Sequence, residues 1–337
     1  LFAGLPIGFA AMVAGMLVLK GRSPEQARPG STGTFDWVGA ALSSGSLVTF
    51  LLTMTNAWKV GWGSPIIVGG IILAAAMMAA FVVWELKTSD PMIDLGLFNN
   101  RVFSMPIAPR FLSFLGGSSV YFLMPFYLIQ GLQFSPSKAA LIMVPASISM
   151  AILGPLTGRL SDRIGTRWPA TFGMALSTIS MFLFSRLSGD TSAYYIVIAM
   201  IISGVGMASF GSPNSSAIMG TLPRKKFGIV TALVNLSRTS ANVTGVALAT
   251  AMVTYTMASL GYEPSLSAVT GSGGDGTRIA FIEGMRLAFL VSSGLMAGAM
   301  VLSLARGDIK TSVSAHQSGQ PATASSPGDD RRSGSKI

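Results

Sequence analysis

Long apolar runs separated by short polar turns dominate this chain. Runs of about 20 apolar residues, the length that crosses the hydrocarbon core as a helix, lie near 1–20, 36–56, 65–86, 103–130, 137–158, 168–187, 192–214, 227–257 and 281–305. The pattern predicts an all-α integral membrane protein of about nine transmembrane helices. Several runs contain Pro or Gly, which spanning helices tolerate where neighbours satisfy the freed backbone groups. Pro125, Pro145 and Pro155 remove helix hydrogen bonds and mark candidate bend points. The pairs Gly154/Gly158 and Gly294/Gly298 have the spacing of small residues that predicts close helix packing.

The turns carry a sign pattern. Short cytoplasmic loops are enriched in Lys and Arg, and alternate turns of this chain divide on that basis. One set holds Lys20, Arg22 and Arg28; Lys87 and Arg101; Arg159, Arg163 and Arg167; Arg224, Lys225 and Lys226; and the tail with Arg306, Lys310, Arg331, Arg332 and Lys336. The other set holds only Lys59, in 57–64, and Arg278, in 258–280. The first set is predicted cytoplasmic, which puts the carboxyl-terminal tail inside.

Composition changes this picture little. Half of the 337 residues are hydrophobic and 11% are charged, outside the range of soluble domains. A net charge of +10 could suggest nucleic acid, but the basic residues fall in turns and a tail, so no nucleic-acid surface is predicted. The absence of cysteine excludes disulfides, thiolate metal sites and cysteine nucleophiles. No Gly-Lys pair occurs, so no phosphate-binding loop of the ATP-driven kind is encoded. With no His, Cys or clustered acids in the runs, neither an enzyme nor a metal or cofactor site is expected. From Gly307 on, Ser, Gly, Pro and charge without apolar periodicity predict a disordered tail, with His316 a solvated residue in it.

Candidate chemistry is confined to a few side chains. Arg238 lies about eleven positions into its run, roughly 16 Å at the helical rise. A charge at that depth costs at least about 2.5–3.5 kcal/mol unless it meets protein or water. Asn235, Arg238, Asn242, Gly245 and Ala249 share one face, predicted to point into the bundle. Arg238 there either binds backbone carbonyls at a helix crossing or lines a cavity. Arg110 is shallower, and its face continues through Phe114, Gly117, Tyr121, Met124 and Leu128. Aromatic rings and methionine suit flat, apolar and cationic compounds, and the same stripe suits plain helix packing. Tyr127 and Gln130 are further candidates toward the outer end. Proton coupling needs a carboxylate that can shed its charge when buried, yet Asp36, Glu85, Asp90, Asp94, Asp162, Glu263 and Glu283 all sit at run ends or in turns.

The most specific motif is Gly158-Arg159-Leu160-Ser161-Asp162-Arg163-Ile164-Gly165-Thr166-Arg167. It reads as a tight turn, with Asp162 placed to accept from the free backbone N–H groups of the following helix. The pattern resembles the cytoplasmic hairpin signature of the major facilitator superfamily of transporters. The resemblance casts Asp162, Arg163 and Arg167, with Gly158, Arg159 and Gly165, as parts of a gate between two conformations. Leu5-Pro6-Ile7-Gly8, Phe35-Asp36-Trp37-Val38-Gly39 and the segment Asp90-Pro91-Met92-Ile93-Asp94-Leu95-Gly96-Leu97-Phe98 with Arg101-Val102-Phe103 further resemble the fourteen-helix drug/proton antiporters of that superfamily.

That resemblance implies the following division. Residues 1–20 would be the last helix of an amino-terminal half, 21–35 a cytoplasmic loop and 36–86 an extra helix pair. A linker would occupy 87–102, a complete six-helix half 103–306 and the tail 307–337. Five helices would then precede Leu1, with any proton-coupling acids among them. The implied function is export of amphipathic drugs or metabolites across the plasma (inner) membrane by alternating access. The expected partners are the lipid bilayer, a small amphipathic molecule, and protons through the missing first half. Uptake of a polar metabolite and a non-transporting membrane scaffold or remnant are the alternatives.

Overall fold

The computed structural model describes residues 36–61, 63–88, 101–219, 227–266, 269 and 274–305. The run at 1–20, most of the 87–102 linker, the Arg224 to Lys226 turn and the tail lie outside the described residues. Eight α-helices are described: α1 Trp37–Val60, α2 Pro65–Lys87, α3 Arg101–Phe126, α4 Pro136–Ile164, α5 Arg167–Phe184, α6 Ala193–Met219, α7 Phe227–Ser259 and α8 Asp275–Ala305. Each coincides with one of the apolar runs. Six of them, α1, α2, α4, α6, α8 and α3 with its extension, are long and apolar enough to cross a membrane. The other two, α5 and the Ser/Thr-rich α7, pack among these.

Local chemistry sets the helix ends. Asp36 Oδ1 accepts from the Gly39 N–H at 2.8 Å and caps α1. The Asp36 carboxylate also accepts from Trp84 Nε1, 3.0 Å from Oδ1, which ties the start of α1 to the end of α2. Pro65 and Pro136 occupy the first positions of α2 and α4, where a missing N–H costs nothing. At the far end of α3, Pro125 interrupts the ladder and Tyr127–Gly131 continues as a π-helical turn, the wide winding that one displaced bond produces.

Helices α3 to α8 form one group. α4 packs on α6, α6 on α5, α5 on α8, and α8 on α3 and α7, with α3 also against α7. The α1–α2 hairpin joins this group through α1 against α7. Lipid-like surroundings supply no hydrophobic force between helices, so close backbone approach and buried hydroxyl bonds do the joining. An added Cβ on Gly206 of α6 would lie 2.8 Å from Ser177 N and 2.9 Å from Gly173 O of α5. Gly204 meets the Ala146 backbone of α4, Gly245 of α7 the Leu115 carbonyl of α3, and Gly284 of α8 the Val253 Cα. The glycines read from sequence as crossing points are mostly elsewhere: Gly154 and Gly294 have nothing within 4 Å, and Gly298 only Leu112 Cδ1 at 3.9 Å. Gly158 alone of the four is tight, against the movable Ser212 hydroxyl.

Hydroxyls bridge the same helices. Ser119 and Ser292 meet at 3.0 Å between α3 and α8. Ser293 donates to Thr178 O at 3.2 Å between α8 and α5, and Thr157 to Ala208 O at 3.0 Å between α4 and α6. The apolar core, with Leu123, Tyr127, Phe184, Ile196, Phe281 and Phe289 fully buried, sits toward the end away from the 158–167 segment. Phe184 and Phe289 pack there with ring planes tilted by 43° and centroids 5.5 Å apart.

Candidate functional site

The charged hairpin is largely helical. α4 runs through Ile164, so Asp162 lies in its last turn and does not cap the next helix. The turn itself is Gly165, at φ +88°, a conformation that favours glycine, followed by the buried Thr166 at the start of α5. The sequence expectation failed because an arginine-rich, aspartate-containing segment still has helical propensity, and the glycine alone stops it. Arg159, Asp162 and Arg163 are exposed. Asp162 forms no ion pair among the described residues. Arg167 is held: its Nε donates to Leu304 O of α8 at 3.0 Å, and its guanidinium lies 5.6 Å from the Trp168 ring centroid.

A second constellation forms between α3 and α7, which run parallel in register at the Gly245–Leu115 contact. Ser118, Tyr121 and Phe122 of α3 and Asn242 and Val246 of α7 line an open recess of about 400 Å³. One turn from Asn242 on the same face stands the exposed Arg238, and two turns from Ser118 stands Arg110. Arg110 Nη1 donates to Ser215 of α6 at 2.8 Å, and its guanidinium lies 5.4 Å from the Phe114 ring centroid. Its Nε is buried without an acceptor. Beside it the fully buried Asn214 donates to Pro106 O at 3.1 Å. Sequence reasoning missed Asn214, Ser215 and Ser118; only their polarity inside apolar runs marked them.

Of the nine sequence candidates for a cavity, Arg110, Phe114, Tyr121, Asn235, Arg238 and Asn242 are exposed or half-buried. Met124 and Tyr127 are not: both are fully buried in the core, and Tyr127 Oη donates to Ser188 O at 2.7 Å. Past Tyr121 the α3 stripe enters the apolar core. Gln130 is half-buried, its backbone carbonyl accepting from Gln133. The α7 stripe divides likewise, with Asn235 and Arg238 exposed and Gly245 and Ala249 packed. Arg238 makes no hydrogen bond to another described residue. Glu283, read from sequence as lying at a run end, and Arg278, read as lying in the outer loop, both sit inside α8. They pair locally with Arg286 at 2.6 Å and Asp275 at 3.4 Å. Among the described residues no cluster of His, Cys, Asp or Glu could hold a metal ion.

An all-helical bundle with six helices long and apolar enough to cross a membrane, and an open recess between two of its helices, is a multi-pass membrane protein. The chain belongs to the Major Facilitator Superfamily, whose family model matches residues 1–246 and again 108–327, and a member of that family is not an enzyme. It is 30% identical over 224 residues to a riboflavin transporter of Clostridioides difficile, covering 66% of this chain and 47% of that one. It is 28% identical over 261 residues to a tetracenomycin C resistance and export protein of Streptomyces glaucescens, covering 77% and 46%. An uncharacterised transporter of this family from Bacillus subtilis matches at 28% over 75% of this chain and 47% of its own. The chain spans about half the length of these relatives. In fold it is similar to a bacterial homologue of the human lysosomal transporter Spinster, at a TM-score of 0.51 and 17% identity, over 80% of this chain and 67% of that one.

Proposed function

We propose that this chain is the carboxyl-terminal portion of a fourteen-helix drug/proton antiporter, with the division at 20, 35, 86, 102 and 306 set out above. The whole transporter moves amphipathic drugs or metabolites out of the cell through the plasma membrane by alternating access, its solute held between two helical halves. The single observation that carries the reading is the recess between α3 and α7, lined by the Tyr121 and Phe122 rings, the Asn242 amide and the Ser118 hydroxyl, in a chain of this family. The tetracenomycin export protein and the lincomycin resistance proteins among its relatives support export.

The hairpin acts as the gate in this reading. Arg167 anchors the turn to α8, while Asp162, Arg159 and Arg163 project from the end of α4 toward the cytoplasmic side. There they are free to pair with another part of the transporter in one conformation and release it in the other. In this reading proton coupling resides in the first half, which the resemblance places before residue 1. Asp162→Asn in the full-length transporter should leave expression and insertion unchanged and impair efflux; normal efflux would refute the gate.

A second reading, uptake of a polar metabolite, is favoured by the riboflavin transporter relative. Direction separates the two. Export predicts accumulation of a fluorescent drug in inverted membrane vesicles, whereas uptake predicts riboflavin accumulation in right-side-out ones.

A further inference from the structure

The recess between α3 and α7 is lined by a carboxamide that no other described group satisfies. Asn242 lies near the middle of the 33-residue α7, roughly 20 Å or more from either end at the helical rise. Its side chain is half-buried and makes no hydrogen bond to another described residue, and the same holds for the hydroxyl of Tyr121 in the same lining. A carboxamide carries donors on nitrogen and an acceptor on oxygen, and leaving it unpaired away from water is costly. The rest of the lining is fixed. Gly245 brings the α7 backbone against the Leu115 carbonyl and the Ser118 hydroxyl. That hydroxyl donates to Leu115 O at 3.0 Å, so only its lone pairs face outward. Phe122 packs against Phe126 with ring centroids 5.5 Å apart, and Val246 adds apolar surface.

No charged side chain is in this lining, and residues 101–131 and 227–259 contain no Asp or Glu. A cation entering the recess would lose hydration with no carboxylate on either helix to replace it, and an anion would meet no lining base. A neutral ring system loses only the hydration of its polar edge. A lactam or imide edge matches a carboxamide: its C=O accepts from Asn242 Nδ2 while its N–H donates to Oδ1, two parallel bonds that close one ring. Tyr121 and Phe122 supply aromatic surface for the ring faces. The volume of about 400 Å³ falls within the roughly 300–1,000 Å³ of small-molecule sites.

We propose that the α3–α7 recess selects uncharged, planar ring systems with a lactam or imide edge, and that Asn242 is the residue that reads this edge, an inference that rests on the transporter reading above. It replaces the cationic aromatic compounds that the α3 stripe suggested from sequence.

The full-length protein in zwitterionic nanodiscs is titrated with fluorescent compounds of one tricyclic skeleton, read against empty nanodiscs. They are phenanthridinone, a neutral lactam; its N-methyl derivative, which cannot donate; and the N-methylphenanthridinium cation. The lactam should bind about tenfold more tightly than the N-methyl lactam, the scale of one hydrogen bond whose loss leaves a partner unsatisfied. The cation should bind no more tightly than the N-methyl lactam. Asn242→Leu should bring the lactam ratio to about one; Asn242 bonds to no other described residue, so the substitution breaks no internal bond among them. Asn242→Asp should move the preference to the cation, a gain that a misfolded recess could not show. Equal binding of the two lactams to the wild type overturns the proposal and marks Asn242 as already paired by another part of the full-length protein. A cation that binds the wild type most tightly, a lactam preference that survives Asn242→Leu, an Asn242→Asp variant with no shift toward the cation, or no saturable binding of any of the compounds also overturns it. Transport is read separately in energised vesicles of both orientations. No accumulation of the lactam in either, with the binding pattern intact, counts against the transporter reading alone, and accumulation without the Asn242 pattern counts against this inference alone.

Discussion

Replacing Gly173 by Ala places a methyl group inside the α5–α6 crossing. The added Cβ would lie 2.6 Å from Gly206 O and 2.8 Å from the Ser209 carbonyl carbon, and closer still to Phe210 N. All three atoms belong to the α6 backbone, so no side chain can swing away. Ordinary contact begins near 3.4 Å, and the crossing must open by several tenths of an ångström. Overpacking of this kind costs about 1–3 kcal/mol, and the rigid neighbours argue for the upper part of that range. Ala also gains about 1 kcal/mol of helix propensity over Gly, which blurs any single measurement. Gly294→Ala is the matched control: it gains the same propensity on exposed α8 surface with nothing within 4 Å. The difference between the two variants is then the overpacking cost alone. Thermal unfolding of the purified protein in detergent should place Gly173→Ala below wild type and Gly294→Ala at or above it. If both variants unfold at the same temperature, the glycine crossings do not hold these helices together.

Tyr127→Phe should cost about 1 kcal/mol by losing the bond from the buried Tyr127 hydroxyl to Ser188 O, seen as a lower unfolding midpoint. Because Tyr127 lines no open space, the relative efflux of different drugs should stay as in the wild type; an altered spectrum would put Tyr127 back in the cavity. Arg167→Ala removes the bond to Leu304 O, and amide exchange should rise in the last turn of α8 while the start of α8 is unchanged. Uniform exchange along α8 would show that the hairpin does not anchor that end.

The spans were legible because the bilayer fixes their length and their uniform apolarity. Eight apolar runs are helices, and the basic turns supplied an orientation without any tertiary information. Which face of each helix points where was not legible. In water an apolar stripe marks the buried side, but lipid is as apolar as a protein core, so Ile148 and Leu156 on the open face of α4 look no different from the buried Met174 and Met181 of α5. Gly154 and Gly294 had the right spacing and sit on open surface, while Gly173, Gly204 and Gly206 were decided by the packing partners. Met124 and Tyr127 were misplaced for the same reason. Polar side chains were picked out by the cost of putting them in lipid: Arg110 and Asn242 are half-buried, and Asn235 and Arg238 are exposed.

The distribution of these forces along the helices bears on how the transporter proposed here would move. At the end away from the hairpin, aromatic and methionine side chains from α3, α5, α6 and α8 interlock. Nearer the hairpin, glycine crossings and hydroxyl bonds join α4 to α6 and α5 to α8. The six helices α3 to α8 are therefore braced along much of their length, and a rocking motion within them would have to break backbone-close contacts. α4 and α7 sit at the two ends of the packing order, each with an uncovered face. A motion that exposes the α3–α7 recess to alternate sides costs least if these faces slide against another part of the transporter. The hairpin arginines and Asp162, at the end of α4, are then placed where such sliding is registered first.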